Sequence, residues 1–269
     1  MRAIKVVLLA LTPIIVALGY SVASASGDSM VYYFDPRAGI KASDPFEKKF
    51  NGFMKKQGAN LEIKVFRGLQ ELRAAIAKAT PHFVIMPPYL RDELGKGVSL
   101  TPILIREHKR SSVYGLVVVG SGSLAGMKGQ TLAASGDAAS SVFLDKILFH
   151  ETELSARDVR VLTVGKEIDA ILAAGTGQAA CACATKQSME LIKRANPAVA
   201  AKLSVLHKVE EIPFVTLYTW GPQDAKRIGE VKKTLGSLHR SRKGKKVLKL
   251  LKADKLVVPD SSLEEKIGS

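Results

Sequence analysis

The chain has 269 residues, of which 46% are hydrophobic and 24% charged, and a formal net charge of +15 at pH 7. This is ordinary globular composition, and the length fits one large domain or two lobes of roughly 100 to 150 residues each. The only cysteines, Cys181 and Cys183, stand on one predicted strand, too close in sequence to pair readily with each other. We therefore expect no structural disulfide, so the hydrophobic core alone must stabilise the chain.

The N-terminus has the pattern of a targeting segment. Arg2 and Lys5 precede an apolar run at 6–17, and the tripeptide Ala-Ser-Ala follows at 23–25. This order is typical of a Sec-type signal peptide, here residues 1–25, cleaved after Ala25. A retained anchor needs about 20 unbroken apolar residues, and Pro13 interrupts this shorter run. We expect a protein exported to the periplasm, with no stable membrane anchor after cleavage.

Positive charge is concentrated near the C-terminus. The segment from Lys226 to Lys255 holds 12 Lys or Arg residues, and its only acids are Glu230 and Asp254. Nucleic acid is not an expected partner outside the cytoplasm. Three interpretations stay open: attraction of anionic ligands, attraction to a membrane surface, or simple solvation of the helices.

The first half of the chain alternates between strand and helix patterns. Apolar residues spaced as on one helix face predict helices around Phe46–Met54 and Leu69–Thr80, and a short helix starts at Tyr89. Strands are predicted at Met30–Phe34, Leu61–Phe66, His82–Met86, Leu100–Ile105 and Val113–Val119.

A second alternating series follows the Gly/Ser loop at 120–126. Its predicted helices include Lys166–Ala174 and Ser188–Arg194, and the chain ends with helices at Ala225–Leu238 and Val247–Leu251 and an extended segment at Leu256–Val258. Strands are predicted at Thr131–Ala134, Val159–Val164, Ala179–Ala184, Leu203–Leu206 and Phe214–Trp220.

This alternation predicts an α/β protein built from mainly parallel sheets flanked by helices. Two β-rich runs, Val113–Val119 and Phe214–Trp220, are expected to carry the chain from one lobe to the other and back. The hinges are therefore expected near 113–119 and 213–220. Lobe one is expected to comprise 27–114 plus 219–269, and lobe two 120–212. A ligand site is expected in the cleft between them, at the carboxyl ends of strands.

One stretch of lobe two, Gly129–His150, reads as strand, tight turn and helix. Ser140 and Ser141 open the helix, where unpaired N–H groups and the helix dipole favour an oxyanion. Asp137 or Ser140 could equally be a simple helix cap, so both interpretations stay open at this point.

Four parts of the chain resemble the type 2 periplasmic solute-binding proteins. The segments at 69–89, 123–131 and 137–141, and the pair 212–215 with 244–248, are similar to motifs of the phosphate/phosphite/phosphonate-binding branch that serves ABC importers. The resemblance covers nearly all of the chain after the signal peptide. It implies a two-lobed type 2 fold that closes on a small oxyanion.

The resemblance also implies roles for individual residues. The loop at 137–141, with Asp137, Ala139, Ser140 and Ser141, would hold the oxyanion, and Tyr89 would donate its hydroxyl from lobe one. Glu167 stands in a segment where relatives commonly place a His-Asp pair before a helix.

Four positions depart from the family pattern. Val142 replaces a loop hydroxyl, and Cys183 and His82 stand where relatives have acidic residues. In addition, Ala138 replaces the proline of the loop. The ligand of this chain therefore stays open between a phosphonate-like oxyanion and another molecule.

No motif for catalysis or for a cofactor is present, and the scattered histidines and the cysteine pair do not form a metal site. We interpret the cysteines as buried small hydrophobes and Trp220 as hinge packing. Lys41, Arg106 and Lys109 are candidate cleft cations.

The sequence thus predicts a monomeric, non-catalytic binding protein that delivers a small anionic ligand to an ABC permease of the inner membrane. The alternative is a ligand-sensing or accessory envelope protein on the same fold, with an altered ligand.

Overall fold

The computed structural model describes residues 29–35, 43–107, 114–209 and 215–260. The predicted signal peptide, the predicted hinge positions 113, 213 and 214, and the candidate cations Lys41 and Lys109 lie outside these ranges. In the parts of the chain that the structure describes, no helix has both the length and the apolar character needed to cross a bilayer.

Strands and helices alternate as the sequence predicts. The strands are β1 (Ser29–Phe34), β2 (Leu61–Phe66), β3 (Phe83–Met86), β4 (Leu100–Glu107), β5 (Tyr114–Val119), β6 (Thr131–Ser135), β7 (Arg160–Val164), β8 (Cys181–Thr185), β9 (Leu203–Val209), β10 (Thr216–Trp220) and β11 (Lys255–Val257). The helices are α1 (Ser43–Lys56), α2 (Leu69–Lys78), α3 (Arg91–Leu94), α4 (Ser141–Phe143), α5 (Glu167–Gly175), α6 (Lys186–Ala195), α7 (Pro197–Ala200), α8 (Ala225–Gly236) and α9 (Arg242–Leu250).

The strands form two sheets. Sheet one has the order β11-β4-β10-β3-β1-β2, and sheet two has the order β7-β6-β8-β5-β9. In sheet one, β1 pairs in parallel with β2 and β3, whereas β10 is antiparallel to β3 and β4. In sheet two, β6 pairs in parallel with β7 and β8, whereas β5 is antiparallel to β8 and β9. The α/β prediction is therefore confirmed, with sheets that are mixed.

The antiparallel pairs come from the two runs that the sequence predicts as crossings. β5 inserts into sheet two between β8 and β9, and β10 inserts into sheet one between β3 and β4. Both strands are almost wholly buried, including the two threonines of β10, Thr216 and Thr219. The predicted lobe boundaries and the hinge role of these runs remain predictions.

The two faces of sheet one belong to different hydrophobic clusters. The outer cluster packs α1, α8 and α9 on sheet one, with Phe50, Met54 and Leu248 among its members. The shared cluster contains residues of both sheets, including Tyr89 from the first and Phe143 from the second. The two sheets therefore share one apolar core on their facing sides.

Helix α9 begins five residues before the predicted start at Val247. Ser241 caps it by accepting a hydrogen bond from the N–H of Gly244 at 2.9 Å. Exposed basic residues fill most of the first turns, so the apolar period is visible only from Val247 onward. The helix start was therefore predicted too late.

Gly244 allows α9 to pack closely on the preceding turn. A Cβ atom at this position would lie 2.1 Å from the carbonyl oxygen of Leu238, far inside van der Waals contact. Backbone atoms cannot yield as a flexible side chain can. We expect Gly244→Ala to lower the free energy of unfolding by about 1–3 kcal/mol, the usual cost of overpacking.

Gly229, in the middle of α8, provides the matched control. A Cβ there meets nothing within 4 Å. Gly229→Ala should raise stability by about 0.5–1 kcal/mol because alanine is the better helix former. Chemical denaturation of both variants measures the difference, and equal stability would refute the close packing.

The cysteines lie side by side in the shared cluster. Cys181 and Cys183 are both free and fully buried, and their neighbours Ala182 and Ala184 face the other side of β8. Burial raises the pKa of Cys181 to about 12. Burial, with the Glu167 carboxylate as the second cause, raises the pKa of Cys183 as well.

Because the thiolate is the reactive form, both thiols should resist modification in the native protein. At pH 8 we expect a thiol reagent to react with both cysteines only after denaturation, and a reducing agent to leave the melting temperature unchanged. Rapid labelling of the folded chain, or a lower melting temperature under reduction, would contradict this assignment.

Candidate functional site

The predicted anion loop follows β6 directly. A 3-10 turn at Gly136–Ala139 leads into α4, and a π-helical turn at Leu144–Leu148 continues it. Gly136 adopts φ +57°, a left-handed conformation that glycine accepts without strain. The predicted order of strand, turn and helix is present, but the α-helical part has only three residues.

Ser140 is the N-cap of α4. Its Oγ accepts a hydrogen bond from the N–H of Phe143 at 3.2 Å and donates to Oδ1 of Asp137 at 3.4 Å. Ser141 is exposed, and Ala139 is half-buried beside it. The capping interpretation is therefore present in the structure, and the Ser140 hydroxyl additionally contacts a carboxylate.

Tyr89 approaches the same carboxylate from sheet one. It lies in a 3-10 turn, Pro88–Leu90, directly after β3, because Pro87 and Pro88 end the strand. Only 8% of Tyr89 is exposed. Its hydroxyl donates to Oδ2 of Asp137, and its ring meets Phe143 edge-on at a centroid distance of 5.8 Å.

The two oxygens of Asp137 thus accept hydroxyl donors from both sheets, Tyr89 on one side and Ser140 on the other. Three of the site residues that the family resemblance implies therefore meet in one place. We call this group, with Phe143, the seam. The resemblance implied that the hydroxyls of Tyr89 and Ser140 donate hydrogen bonds to a ligand. In this structure both donate to the carboxylate of Asp137 instead.

Two further contacts lie around the seam, and the second of them joins the sheet-one side to the sheet-two side. The ring of Tyr114 packs on Phe143 at a centroid distance of 5.2 Å. Lys146, in the π-helical turn, lies 3.8 Å from the carboxylate of Asp92 on α3. Polar contacts at the seam therefore lie against a continuous apolar core.

Glu167 makes a separate contact. It lies at the start of α5, and its carboxylate accepts the backbone N–H of Thr185 at the end of β8. Its charge also acts on the buried thiol of Cys183. The hydrogen bond to Thr185 therefore holds Glu167 at the carboxyl end of β8.

The residues that depart from the family pattern have structural partners. Nδ1 of His82 accepts the N–H of Met30 at 3.0 Å, and burial together with the cation of Arg227 lowers the pKa of His82. His82 precedes β3, so it lies at the opposite end of that strand from Tyr89. Val142 packs against the shared cluster, and Cys183 is buried within it.

Arg106, a predicted cleft cation, forms a buried ion pair with Asp35 and contacts the Leu251 carbonyl oxygen at 3.4 Å. Leu251 belongs to the outer cluster. These contacts hold the guanidinium on the side of α9, and the sequence had no signal for its pairing with Asp35.

Within the described residues, no group of three or more His, Cys, Asp or Glu side chains could hold a metal ion. The site therefore consists of hydroxyl groups and carboxylates set against apolar side chains.

The two sheets, their shared core and the hydroxyl groups that meet between them define the class of two-lobed α/β binding proteins. A model of the family described as ABC transporter, phosphonate, periplasmic substrate-binding protein matches residues 31–263. The chain belongs to this family. The predicted family is thus confirmed, and the family consists of transport binding proteins rather than enzymes.

Solved structures show the same fold at low sequence identity. XAC2383 from Xanthomonas citri, bound to chloride ion, has a TM-score of 0.65 at 13% identity, covering 89% of this chain and 94% of that one. PhnD1 from Prochlorococcus marinus, in complex with methylphosphonate, has a TM-score of 0.57 at 15% identity, covering 89% and 96%. The aliphatic sulphonate binding protein SsuA from Escherichia coli has a TM-score of 0.55 at 12% identity, covering 90% of each. No curated protein is similar enough in sequence to match the chain.

Proposed function

We propose that this chain is an exported substrate-binding protein that closes on a small oxyanion and delivers it to an inner-membrane ABC permease. The observation that carries the proposal is the convergence of two hydroxyl groups, Tyr89 and Ser140, on one carboxylate at the seam. A carboxylate is itself an oxyanion. Donors that hold it from both sides are suited to hold a phosphonyl, phosphoryl or sulfonyl oxygen in the same way.

In this proposal Asp137 keeps the two hydroxyls oriented while no ligand is bound. On binding, the ligand oxygen replaces the carboxylate as their acceptor. Ser141 and the backbone at Ala139 add contacts from the same loop. We call these two groups, together with the hydroxyls of Tyr89 and Ser140, the seat. Glu167, at the carboxyl end of β8, accepts a hydrogen bond from a protonated group of the ligand.

The charge of Asp137 restricts the ligand. Two like charges about 4 Å apart repel by roughly 4 kcal/mol at an effective dielectric constant of about 20. That is a large part of the roughly 8 kcal/mol of binding free energy that corresponds to micromolar affinity. Singly charged oxyanions, or anions that keep one proton and donate it in a hydrogen bond to Glu167, are therefore favoured.

Ligand binding acts by selecting the closed arrangement. An oxyanion that bridges Tyr89 and the loop at 137–141 contacts both lobes only when they are closed, so it raises the closed population. The signal peptide at 1–25, the periplasmic location, the monomeric state and the permease partner belong to this same proposal. Methylphosphonate and aliphatic sulphonates, named for two of the structural neighbours, are the ligands to try first.

A second function on the same fold is a ligand-sensing or accessory role in the envelope. The observation that favours it is the seam itself, where a carboxylate of the chain accepts the Tyr89 hydroxyl, while Val142 and Cys183 add no hydroxyl or carboxylate to the shared cluster. Neighbouring genes for a permease and an ATPase favour transport. A neighbouring sensor kinase or cytochrome cluster favours the accessory role.

The direct test is a thermal-shift screen of the purified, ligand-free chain against phosphate, phosphite, methylphosphonate, sulfate, alkanesulfonates and carboxylates. At least one oxyanion should raise the melting temperature, because a ligand that binds only the folded state stabilises it. Ser140→Ala with Ser141→Ala should abolish that ligand-induced shift. The loss of the cap costs about 1 kcal/mol, so each shift is measured from the variant's own ligand-free value.

Ser121 and Ser123, two exposed serines outside the seat, provide the matched double alanine control, which should keep the full shift. If no oxyanion shifts the melting temperature, or if the seat variant keeps its shift, the oxyanion proposal is wrong.

Asp137→Asn tests the competition between the carboxylate and the ligand. Asparagine keeps an oxygen acceptor for Tyr89 but removes the negative charge, so affinity for the active oxyanion should rise about tenfold or more. Titration calorimetry measures the change. Asp169→Asn, which removes an equal charge from an exposed position on α5, should leave affinity unchanged. A lower affinity in Asp137→Asn would show that the carboxylate supports the ligand rather than competing with it.

A further inference from the structure

The outer helical layer of sheet one carries a dense set of exposed cations. Helices α1, α8 and α9 all contribute to the outer cluster on this side of the sheet. Residues 225–252 contain 11 Lys or Arg residues and only one acid, Glu230. We call the exposed Lys and Arg side chains of α1, α8 and α9 the basic layer.

Helix α9 separates its apolar and charged residues sharply. It buries Gly244, Val247 and Leu248 against the protein. The exposed side chains are all basic apart from the capping serine: Arg242, Lys243, Lys245, Lys246 and Lys249. The lysine pairs at 48–49 and 55–56 of α1 are exposed as well, so the positive charge continues onto the neighbouring helix.

Several basic residues elsewhere in the described part of the chain have an acidic partner. Arg73 pairs with Glu93, Lys193 with Glu190, and Lys255 with Glu107. In the ranges of the chain that the structure describes, no ion pair joins a basic side chain of α9 to an acid. The charge of this helix is therefore available to an external anionic partner.

The basic layer also lacks the features of a stable protein interface. Binding hot spots are buried aromatic, apolar or arginine side chains that fill pockets on the partner. Of the exposed large hydrophobic residues in the described part of the chain, none lies on α1, α8 or α9. Lysine, which predominates here, acts as a flexible point charge and does not demand fixed partner geometry.

We infer that the basic layer binds the surface of a membrane that contains anionic phospholipids. Lysine-rich surfaces are attracted to anionic headgroups without apolar insertion, and the effect is confined to about one Debye length. The seam lies on the opposite face of sheet one, so the contact leaves Tyr89 and Asp137 clear of the membrane. The inference does not depend on which ligand the seam binds.

Vesicle co-sedimentation tests the inference with the full chain. Wild-type protein should bind vesicles of phosphatidylglycerol and phosphatidylcholine at low salt, and should bind pure phosphatidylcholine much more weakly. Binding should disappear in about 1 M salt, where the Debye length is about 3 Å.

Two variants, each with four lysines changed to glutamine and so with the same loss of charge, locate the binding surface. The basic-layer variant should bind at least about tenfold more weakly than wild type, and the control variant on lobe two should bind like wild type. All proteins carry the same residues before Ser29, so any binding by that segment is common to them. The basic-layer variant carries K243Q, K245Q, K246Q and K249Q, and the control carries K128Q, K166Q, K186Q and K202Q, all at exposed positions.

Glutamine is a good helix former, so both variants should keep the wild-type melting temperature, which is checked first. Equal loss of binding in the two variants would show that net charge alone acts, and would overturn the inference. Absence of binding to the anionic vesicles, or equal binding to neutral ones, would overturn it as well.

Discussion

The hydrogen bond from Tyr89 to Asp137 joins the two sheets at the seam. A buried hydroxyl or carboxylate without a partner costs about 1–3 kcal/mol, and more when it is charged. The Tyr89 hydroxyl is nearly buried beside the apolar core that the two sheets share, and Asp137 is its acceptor. Around this bond the rings of Tyr89, Phe143 and Tyr114 pack edge-on. The polar contact gives the Tyr89 hydroxyl its partner, and the apolar contacts supply most of the attraction.

The fold was predictable because local patterns agree with tertiary structure over most of the chain. β2 alternates buried and exposed residues, and α1 buries Phe46, Phe50 and Met54 at helical spacing. The pattern failed where charge outweighs apolar residues, as in the first turns of α9. It also did not predict the π-helical turn after Phe143, whose residues Leu144, Ile147 and Leu148 are buried in the shared cluster.

The sequence indicated which residues belong to the candidate site, but it did not indicate which of them form hydrogen bonds with each other. Motif similarity identified Tyr89, Asp137 and Ser140, and the structure brings them together. That Asp137 accepts from both hydroxyls depends on how two distant segments approach, which spacing in the sequence does not encode. The same holds for Glu167, whose hydrogen bond to Thr185 joins the start of a helix to the end of a strand.

The distribution of charge separates the basic layer from the seam. The chain has a net charge of +15, yet the seam carries the carboxylate of Asp137, and the basic layer lies behind sheet one. A helix is about 10 Å across, and the Debye length at physiological ionic strength is about 8 Å. The cations of the outer layer are therefore screened from the seam. Under the proposed function, hydroxyl and N–H donors at the seam would therefore supply the affinity for an oxyanion.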